Sequence, residues 1–567
     1  MVDNVYSSDV LVIGGGVAGL FAAITARGKG RSVILVDKAY AGKSGSSIMA
    51  SGQWNVFNPD WGLDYDDSFS SIQRFGGYIC HAGWLDVMLR ESWESYRDLV
   101  DYGVEFPCTE DEMKDFMREK MHGDRNDAKM VWGMVPLKHR EVPPKLRRRA
   151  LLTGVKIFDR IMITELTVAR DRVTGAAGFA IESAEPVVFR AGAVILCGGK
   201  NCFRSPGMNI AELTGDADAM AYRAGACISG KEFPDMHMNI EKHPVWKGNG
   251  ELYPAFWNFV DGEGRLIPQK GFDLAMASVI HAGLGPIMWD FAHAGPEDLE
   301  HMENYIKKRG LPQETERVNL GWNRGENTRV IGGSAAGGMA ESTAGIWPVD
   351  LNGASTMPGL YAAGDCCCTW AWGAIDRFGP PGLMHAAVSG KRAAKAASEY
   401  ASENPVPDAQ DGGAIQRMLE PLKRKTGFDP RWVTQLLQNT MLPYYVLHIK
   451  KADRLEAALT TVEFLRDHMG PKLKAGDPHE LRLCHETRNM ILNAEMILRA
   501  SLERRESRGW HYREDYPDID DENWLAWVIM RRGENGMEVS KRKVPQEFLP
   551  PPSERKYERP WLAWEVY

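Results

Sequence analysis

No apolar run in this 567-residue chain reaches the roughly 18 residues that a membrane-spanning helix needs, so no transmembrane segment is expected. The opening residues Met1-Val2-Asp3-Asn4 supply neither a basic region nor an apolar one. A signal peptide is therefore not expected, and a cytoplasmic location is. Cysteine is sparse, at nine residues with no CxxC pair. Cys366, Cys367 and Cys368 are adjacent, a spacing that by itself closes neither a mononuclear zinc site nor an iron–sulfur cluster. Reduced thiols and no metal site are the expectation, and any iron–sulfur cluster that serves this protein belongs to another chain. Positive charge is not in excess: 68 Lys and Arg face 76 Asp and Glu, a net charge of −8, which argues against nucleic acid as a partner. Internal repeats and low-complexity stretches are also lacking.

What remains is an ordinary globular composition, 44% hydrophobic and 25% charged, long enough for two or three domains. Its clearest pattern lies at the start. Ser8 to Ile13 reads as an apolar strand, Gly14-Gly15-Gly16 as a turn, and Val17 onward as an apolar helix. Val33 to Asp37 then reads as a second strand that ends in an acid. Gly14 permits the tight turn, Gly16 lets the backbone approach a pyrophosphate, and Gly19 lets the helix pack on the sheet. The free N–H groups of the helix start suit the pyrophosphate, and Asp37 suits ribose hydroxyls. The unit binds a dinucleotide.

Three distant segments favour FAD over NAD. Lys43 to Ser47 forms a small polar loop. Ala193 to Leu196 is a strand that runs through Cys197 into Gly198-Gly199, followed by Thr214-Gly215-Asp216. Leu360 to Ala363 is a strand that ends in Gly364-Asp365. Segments so far apart meeting on one ligand imply an extended cofactor laid across a large domain.

In the order of these segments the chain resembles the flavoprotein subunits of succinate dehydrogenase, fumarate reductase, L-aspartate oxidase and adenylylsulfate reductase. The run from Arg505-Glu506-Ser507-Arg508-Gly509 through His511, Arg513 and Pro517 to Asp520-Asp521 and Trp524 is similar to a C-terminal signature of that superfamily. The resemblance covers nearly the whole chain. It implies an α/β fold: a Rossmann-like FAD-binding domain at 1–230 and 331–402, an inserted α+β capping domain at 231–330, and a C-terminal helical domain at 412–530. A tail at 531–567 either wraps the molecule or docks a partner. Where succinate dehydrogenases carry FAD on a histidine, this chain reads Ser44-Gly45-Ser46, so the FAD is expected to be non-covalent. The family pattern also puts an asparagine near the flavin, at Asn55. The cofactor-binding set is Gly14, Gly16, Val17, Ala18, Gly19, Asp37, Lys38, Lys43, Ser44, Gly45, Ser46, Gly52, Gly198, Gly199, Thr214, Gly215, Asp216, Gly364, Asp365, Gly382 and Leu383. The last two begin a helix whose dipole favours negative charge on the cofactor.

Local patterns add detail. Trp84 to Tyr102 is helix-like, and Thr164 to Phe179 reads as a hairpin. Lys145 to Arg149 is a basic cluster on a helix, best read as a solvated face. Leu455, Ala458, Leu459, Val462 and Leu465 repeat as one buried helix face.

For catalysis, the resemblance assigns His237 and Arg377 to substrate binding, and the planar fork of Arg377 suits a carboxylate, sulfate or phosphate. The pattern departs at two other places. Gly333 to Gly338 lacks the second substrate histidine, with Ala335 among its residues. Leu274 to Ile280 lacks the proton-donating arginine of fumarate reductases. Arg265 lies nearby but reads as part of a hairpin turn, so it does not inherit the role. Trp370 and Trp372 either wall the flavin pocket or pack in the core. The expected activity is two-electron redox of a small anionic substrate at flavin N5, with electrons exchanged with a separate iron–sulfur or ferredoxin-like partner. The alternatives are an electron-transfer subunit of a larger complex and an adenylylsulfate-reductase-like subunit. Self-association through the C-terminal helices, giving a homo-oligomer, stays open.

Overall fold

A computed structural model describes residues 4–50, 53–114, 132–137, 139–205, 212–235, 239–240, 243–247, 259–267, 278–289, 328–331, 338–339, 344–374, 382–406 and 413–557. Its centre is a seven-stranded sheet of β1 (Val5–Ile13), β2 (Val33–Val36), β3 (Lys156–Phe158), β4 (Ile161–Ala169), β5 (Arg172–Ala180), β6 (Pro186–Leu196) and β7 (Leu360–Ala362). The order is β3-β2-β1-β6-β5-β4, and β7 pairs with β6 as well. Strands β3, β2, β1, β6 and β7 are mutually parallel where they pair, whereas β4 and β5 form an antiparallel extension. One edge of β6 is shared. Its first half pairs with β5 and its last three residues pair with β7, so Ala362 lies beside Leu196.

The C-terminal halves of β1 and β6, and all of β2, are apolar and buried because both faces are covered there. Val10 and Val12 face one core layer with Val33, Leu35, Ala193 and Ile195. Leu11 and Ile13 face the other with Ile34, Val36, Val194 and Leu196. The first layer holds helices α1 (Val17–Gly28), α2 (Ala82–Asp101) and α4 (Gly382–Glu403). Helix α4 crosses α1 closely: a Cβ on Gly390 would lie 2.5 Å from the Ala18 carbonyl oxygen. Helix α2 is tied to α4 by ion pairs of Lys391 with Glu94 and Asp98, and of Arg392 with Glu91. On the second layer lies the short helix α3 (Asp216–Arg223). The expected hairpin is β4–β5, turning at Arg170 and Asp171, both at positive φ. The basic cluster is less solvated than expected. Arg147 donates to Asp159 and to the Ala41 carbonyl, which ties its helix to the loop after β2.

Within the segment expected to cap the flavin, strands at 239–240, 243–247, 259–260, 287–289 and 328–331 form one antiparallel sheet. The chain enters through Pro234–Asp235 and returns through Gly338–Met339, and these two strands pair with each other.

Helices α5 (Pro430–Met441), α6 (Ala452–Phe464) and α7 (Pro478–Glu503) enclose a third core cluster, which takes Leu455, Ala458, Val462 and Leu465 as the periodicity requires. Strands β8 (Ala526–Gly533) and β9 (Gly536–Lys543) form a hairpin that spans residue 530, and β8 also pairs with Ile228–Ser229. Among the described residues no helix is long and apolar enough to cross a membrane.

Candidate functional site

The carboxyl ends of β1, β2, β6 and β7 point the same way, and a cavity opens along them. In parallel sheets this is where ligands bind, because loops and helix N-termini converge there. The first turn supplies Gly14, Gly16, Val17 and Ala18 to the wall, and the end of β2 supplies Asp37 and Lys38. Ser44, Gly45 and Ser46 line the cavity, as do Gly198, Gly199 and Asp216. Gly364 and Asp365 after β7, and Gly382 and Leu383 at the start of α4, complete it.

Backbone geometry explains the glycine turn. Gly14 sits at φ +110°, and a Cβ there would lie 2.2 Å from the Cys197 carbonyl oxygen. Gly19 does not line the cavity. It lets α1 press onto the turn, since its Cβ would fall 1.8 Å from the Gly14 carbonyl oxygen. The start of α1 thereby faces the cavity as an anion-binding end.

Asp37 holds two loops at once. Its Oδ2 accepts from the Gly15 N–H at 2.7 Å and its Oδ1 from the Ala39 N–H at 2.7 Å. Each oxygen keeps a lone pair for a further donor such as a ribose hydroxyl. Burial raises its pKa above the ordinary value despite these two donors. Ser47 accepts from the Val17 N–H at 3.1 Å, and Glu212 accepts from the Gly45 N–H at 3.3 Å. The polar loop therefore leans on both neighbouring walls.

Lys38 lines the cavity, but its ammonium is committed. It lies 2.7 Å from Asp216 Oδ2, 2.9 Å from Glu486 Oε1, 3.0 Å from Thr214 Oγ1 and 3.0 Å from the Glu212 carbonyl. Burial opposes its charge, yet Asp216 and Glu486 outweigh burial and hold its pKa above the usual lysine value. Thr214 and Gly215 do not line the cavity. Thr214 donates to Asp216 at 2.9 Å, and Gly215 caps α3 in the left-handed region. Lys43 does not line it either, and Gly52 lies outside the described residues.

His237, Arg377 and Ala335 also lie outside the described residues, as do Leu274 to Ala277. The segments that lead to the first two are described. Phe233 packs edge-on against Trp370 at 5.5 Å, fixing the entry to the cap. Trp370 is fully buried and donates from Nε1 to Ser229, so it is a core residue and does not line the cavity. Trp372 meets Trp132 edge-to-face at 4.8 Å, and both indole N–H groups are buried without a partner among the described residues. Asn55 is buried as well, and its Nδ2 likewise has no partner among them. Arg265 occupies a turn and pairs with Asp261 at 2.7 Å, as the hairpin reading expects. His385 sits behind the cavity wall with Nε2 3.1 Å from Thr369 Oγ1. Burial and the nearby Lys200 push its pKa down to about 3, so it is neutral.

The C-terminal signature is a buried ionic cluster. Arg504 pairs with Glu232 at 2.9 Å and Glu506 at 2.7 Å, and Arg508 pairs with Glu506 at 2.8 Å and Asp521 at 2.9 Å. Lys450 lies 3.0 Å from His511 Nδ1. This cluster clamps Glu232 at the cap entry. Sequence reasoning missed the polar side chains of α7, Glu486, Asn489 and Asn493, which reach the loops of the cavity. Among the described residues no His, Cys, Asp and Glu group is arranged to hold a metal.

The cavity fits FAD. Gly14 and Gly16 line the cavity beside the start of α1 as bare backbone that a pyrophosphate can approach, and Asp37 retains acceptor capacity. Comparison with known proteins agrees. A family described as an FAD binding domain matches residues 9–251, and one described as the fumarate reductase flavoprotein C-terminus matches 434–557. One subunit of the fumarate reductase (CoM/CoB) of Methanothermobacter marburgensis is 26% identical, covering 94% of this chain and 98% of that protein. The L-aspartate oxidase of Pseudomonas aeruginosa is 27% identical, covering 91% and 96%. Among solved structures, a mutant of the flavoprotein of E. coli quinol fumarate reductase superposes with a TM-score of 0.82 at 18% identity, covering 98% and 99%. Adenylylsulfate reductase from Archaeoglobus fulgidus gives 0.76 at 20% identity, covering 96% and 97%. At these identities the structural matches speak to fold.

Proposed function

The chain belongs to the fumarate reductase and succinate dehydrogenase flavoprotein family and is an FAD-dependent oxidoreductase, and from that premise we propose that it reduces or oxidises a small anionic substrate, an unsaturated carboxylate or its saturated form. The observation that carries the reading is the convergence of four strand ends and two helix starts on one cavity with a glycine cradle.

FAD, when bound, supplies hydride transfer at its N5. The chain's own residues do the rest. The start of α1 would hold the pyrophosphate, Asp37 would accept from ribose hydroxyls, and Gly364 and Asp365 would meet the ribityl or pyrophosphate part. The start of α4, at Gly382 and Leu383, favours negative charge at its end of the cavity. Ser44-Gly45-Ser46 offers no histidine for a covalent link, so the cofactor is held by these contacts alone.

Arg377 and His237 bind the substrate anion, Arg377 through its bidentate fork. The cap confines the substrate and excludes water, and its entry and return strands, Pro234–Asp235 and Gly338–Met339, pair with each other at its base. Electrons are exchanged with a separate iron–sulfur or ferredoxin-like chain, and the cysteine spacing of this sequence offers no cluster motif of its own.

The experiment is anaerobic reoxidation of the photoreduced flavin by a panel of enoates and then by adenylylsulfate. Reoxidation by an enoate, lost in Arg377→Ala, is expected. Reoxidation by adenylylsulfate alone would instead favour the adenylylsulfate-reductase-like reading. No reoxidation by either class would contradict a substrate site on this chain and leave it an electron-transfer subunit.

A further inference from the structure

The cavity wall formed by Lys38 is held from a distance. Helix α7 begins more than 430 residues after Lys38, yet Glu486 lies fully buried against it. Resting on the FAD reading above, we infer that α7 sets the affinity of the cavity for FAD, with Glu486 and Asn489 as positioning residues that hold Lys38 and Asp216.

The contacts form one connected path. Glu486 Oε1 is 2.9 Å from Lys38 Nζ and 2.8 Å from Arg482, and its Oε2 pairs with Arg204. One turn on, Asn489 donates to Asp216 Oδ1 at 2.7 Å and accepts from Arg223 at 2.9 Å. A further turn on, Asn493 donates to the Gly215 carbonyl at 3.1 Å and accepts from Lys231 at 2.9 Å. The spacing of 486, 489 and 493 puts all three on one face of the helix. That face grips the segment 212–216, whose Glu212, Leu213 and Asp216 line the cavity. Glu212 in turn holds the Gly45 N–H at 3.3 Å, so the polar loop depends on the same grip.

Lys38 is the strut in this path. An ammonium has three donors, and four acceptors already surround this one. It has no donor left for a phosphate, so its work is to join the end of β2 to 212–216. Fit to an elongated ligand depends on the spacing of those two walls, and misplacing either weakens several contacts together. Replacing Glu486 by a neutral residue leaves Lys38 with Asp216 as its one carboxylate and takes from Arg204 and Arg482 the carboxylate they share with it. The three cations then repel one another inside the fold, and the walls separate.

A merely structural role would lower stability and leave cofactor affinity unchanged. The test is therefore a double-mutant cycle on the FAD dissociation constant of the full chain, read by quenching of flavin fluorescence after removal and re-addition of FAD. Glu486→Gln and Lys38→Met are each expected to raise the constant about tenfold, and the double variant by clearly less than the product of the two, because one path is cut twice. By linkage, FAD should slow backbone hydrogen exchange across 482–493 in the wild type and less so in Glu486→Gln. Should Glu486→Gln not fold, Asn489→Ala cuts the second contact with the same expectation in direction. An unchanged constant in the folded variant, or effects that multiply fully, overturns the inference alone. A wild-type chain that takes up no FAD overturns the reading of the cavity and this inference with it.

Discussion

Substituting Gly19 by alanine sets two effects against each other. Within a helix, alanine is favoured over glycine by about 1 kcal/mol. Against this, the new Cβ would stand 1.8 Å from the Gly14 carbonyl oxygen, where contacts under 3.0 Å essentially never occur. Either α1 or the turn must move by more than 1 Å, and the colliding atom is backbone, so no side chain can swing aside. Overpacking of this kind costs about 1–3 kcal/mol, so the apo protein should lose between roughly 0 and 2 kcal/mol once the propensity gain is deducted. Cofactor affinity should suffer more, because the displaced turn is the proposed pyrophosphate cradle. Losing one charge-assisted hydrogen bond, worth about 1.5–3 kcal/mol, raises the FAD dissociation constant about 10- to 100-fold. Urea unfolding of the apo protein and flavin fluorescence titration measure the two separately. A Gly19→Ala protein that binds FAD as tightly as the wild type would refute the assignment of the turn as the pyrophosphate cradle.

Other consequences can be checked independently. Arg508→Ala leaves Glu506 buried with a single cationic partner, Arg504, and removes the donor to the Gly77 carbonyl. It should cost about 3–5 kcal/mol in urea unfolding, with Arg508→Lys recovering only part. His485 has its pKa pushed down to about 4 by burial and Arg488. Between about pH 4 and 6.5 the unfolded chain carries a proton there that the folded chain lacks. Acidification through that window should therefore withdraw up to about 1.4 kcal/mol per pH unit, and His485→Gln should remove that part of the slope in unfolding measured against pH. Arg377→Ala should slow enoate reoxidation of the reduced flavin while leaving the visible flavin spectrum unchanged, which stopped-flow absorbance reports.

The FAD-binding unit was legible because its constraints are local. A strand period, a glycine turn and a terminal acid fall within thirty residues, and Asp37 takes up the anchoring position that its place after β2 implies. The ends of β6 and β7 were legible for the same reason. Two things were not. Lys38 reads as one more basic residue beside a phosphate site, and only its surroundings show that its donors are spent. Glu486, Asn489 and Asn493 read as the polar face of an amphipathic helix, because pattern cannot distinguish a face that meets water from one that meets a distant loop. Trp370 was open between pocket wall and core, and its bond to Ser229 with its packing on Phe233 resolves it as core. The hairpin of β8 and β9 was hidden by its charges, since β9 is an exposed edge strand and edges are commonly charged.

Every role assigned above requires this chain to hold FAD in the cavity at its strand ends, without a covalent bond. Acid precipitation of the purified protein, followed by flavin analysis of supernatant and pellet, tests it most directly. FAD in the supernatant at close to one equivalent per chain is the expected result. Flavin retained in the pellet, or a chain that neither carries nor takes up flavin, would contradict it.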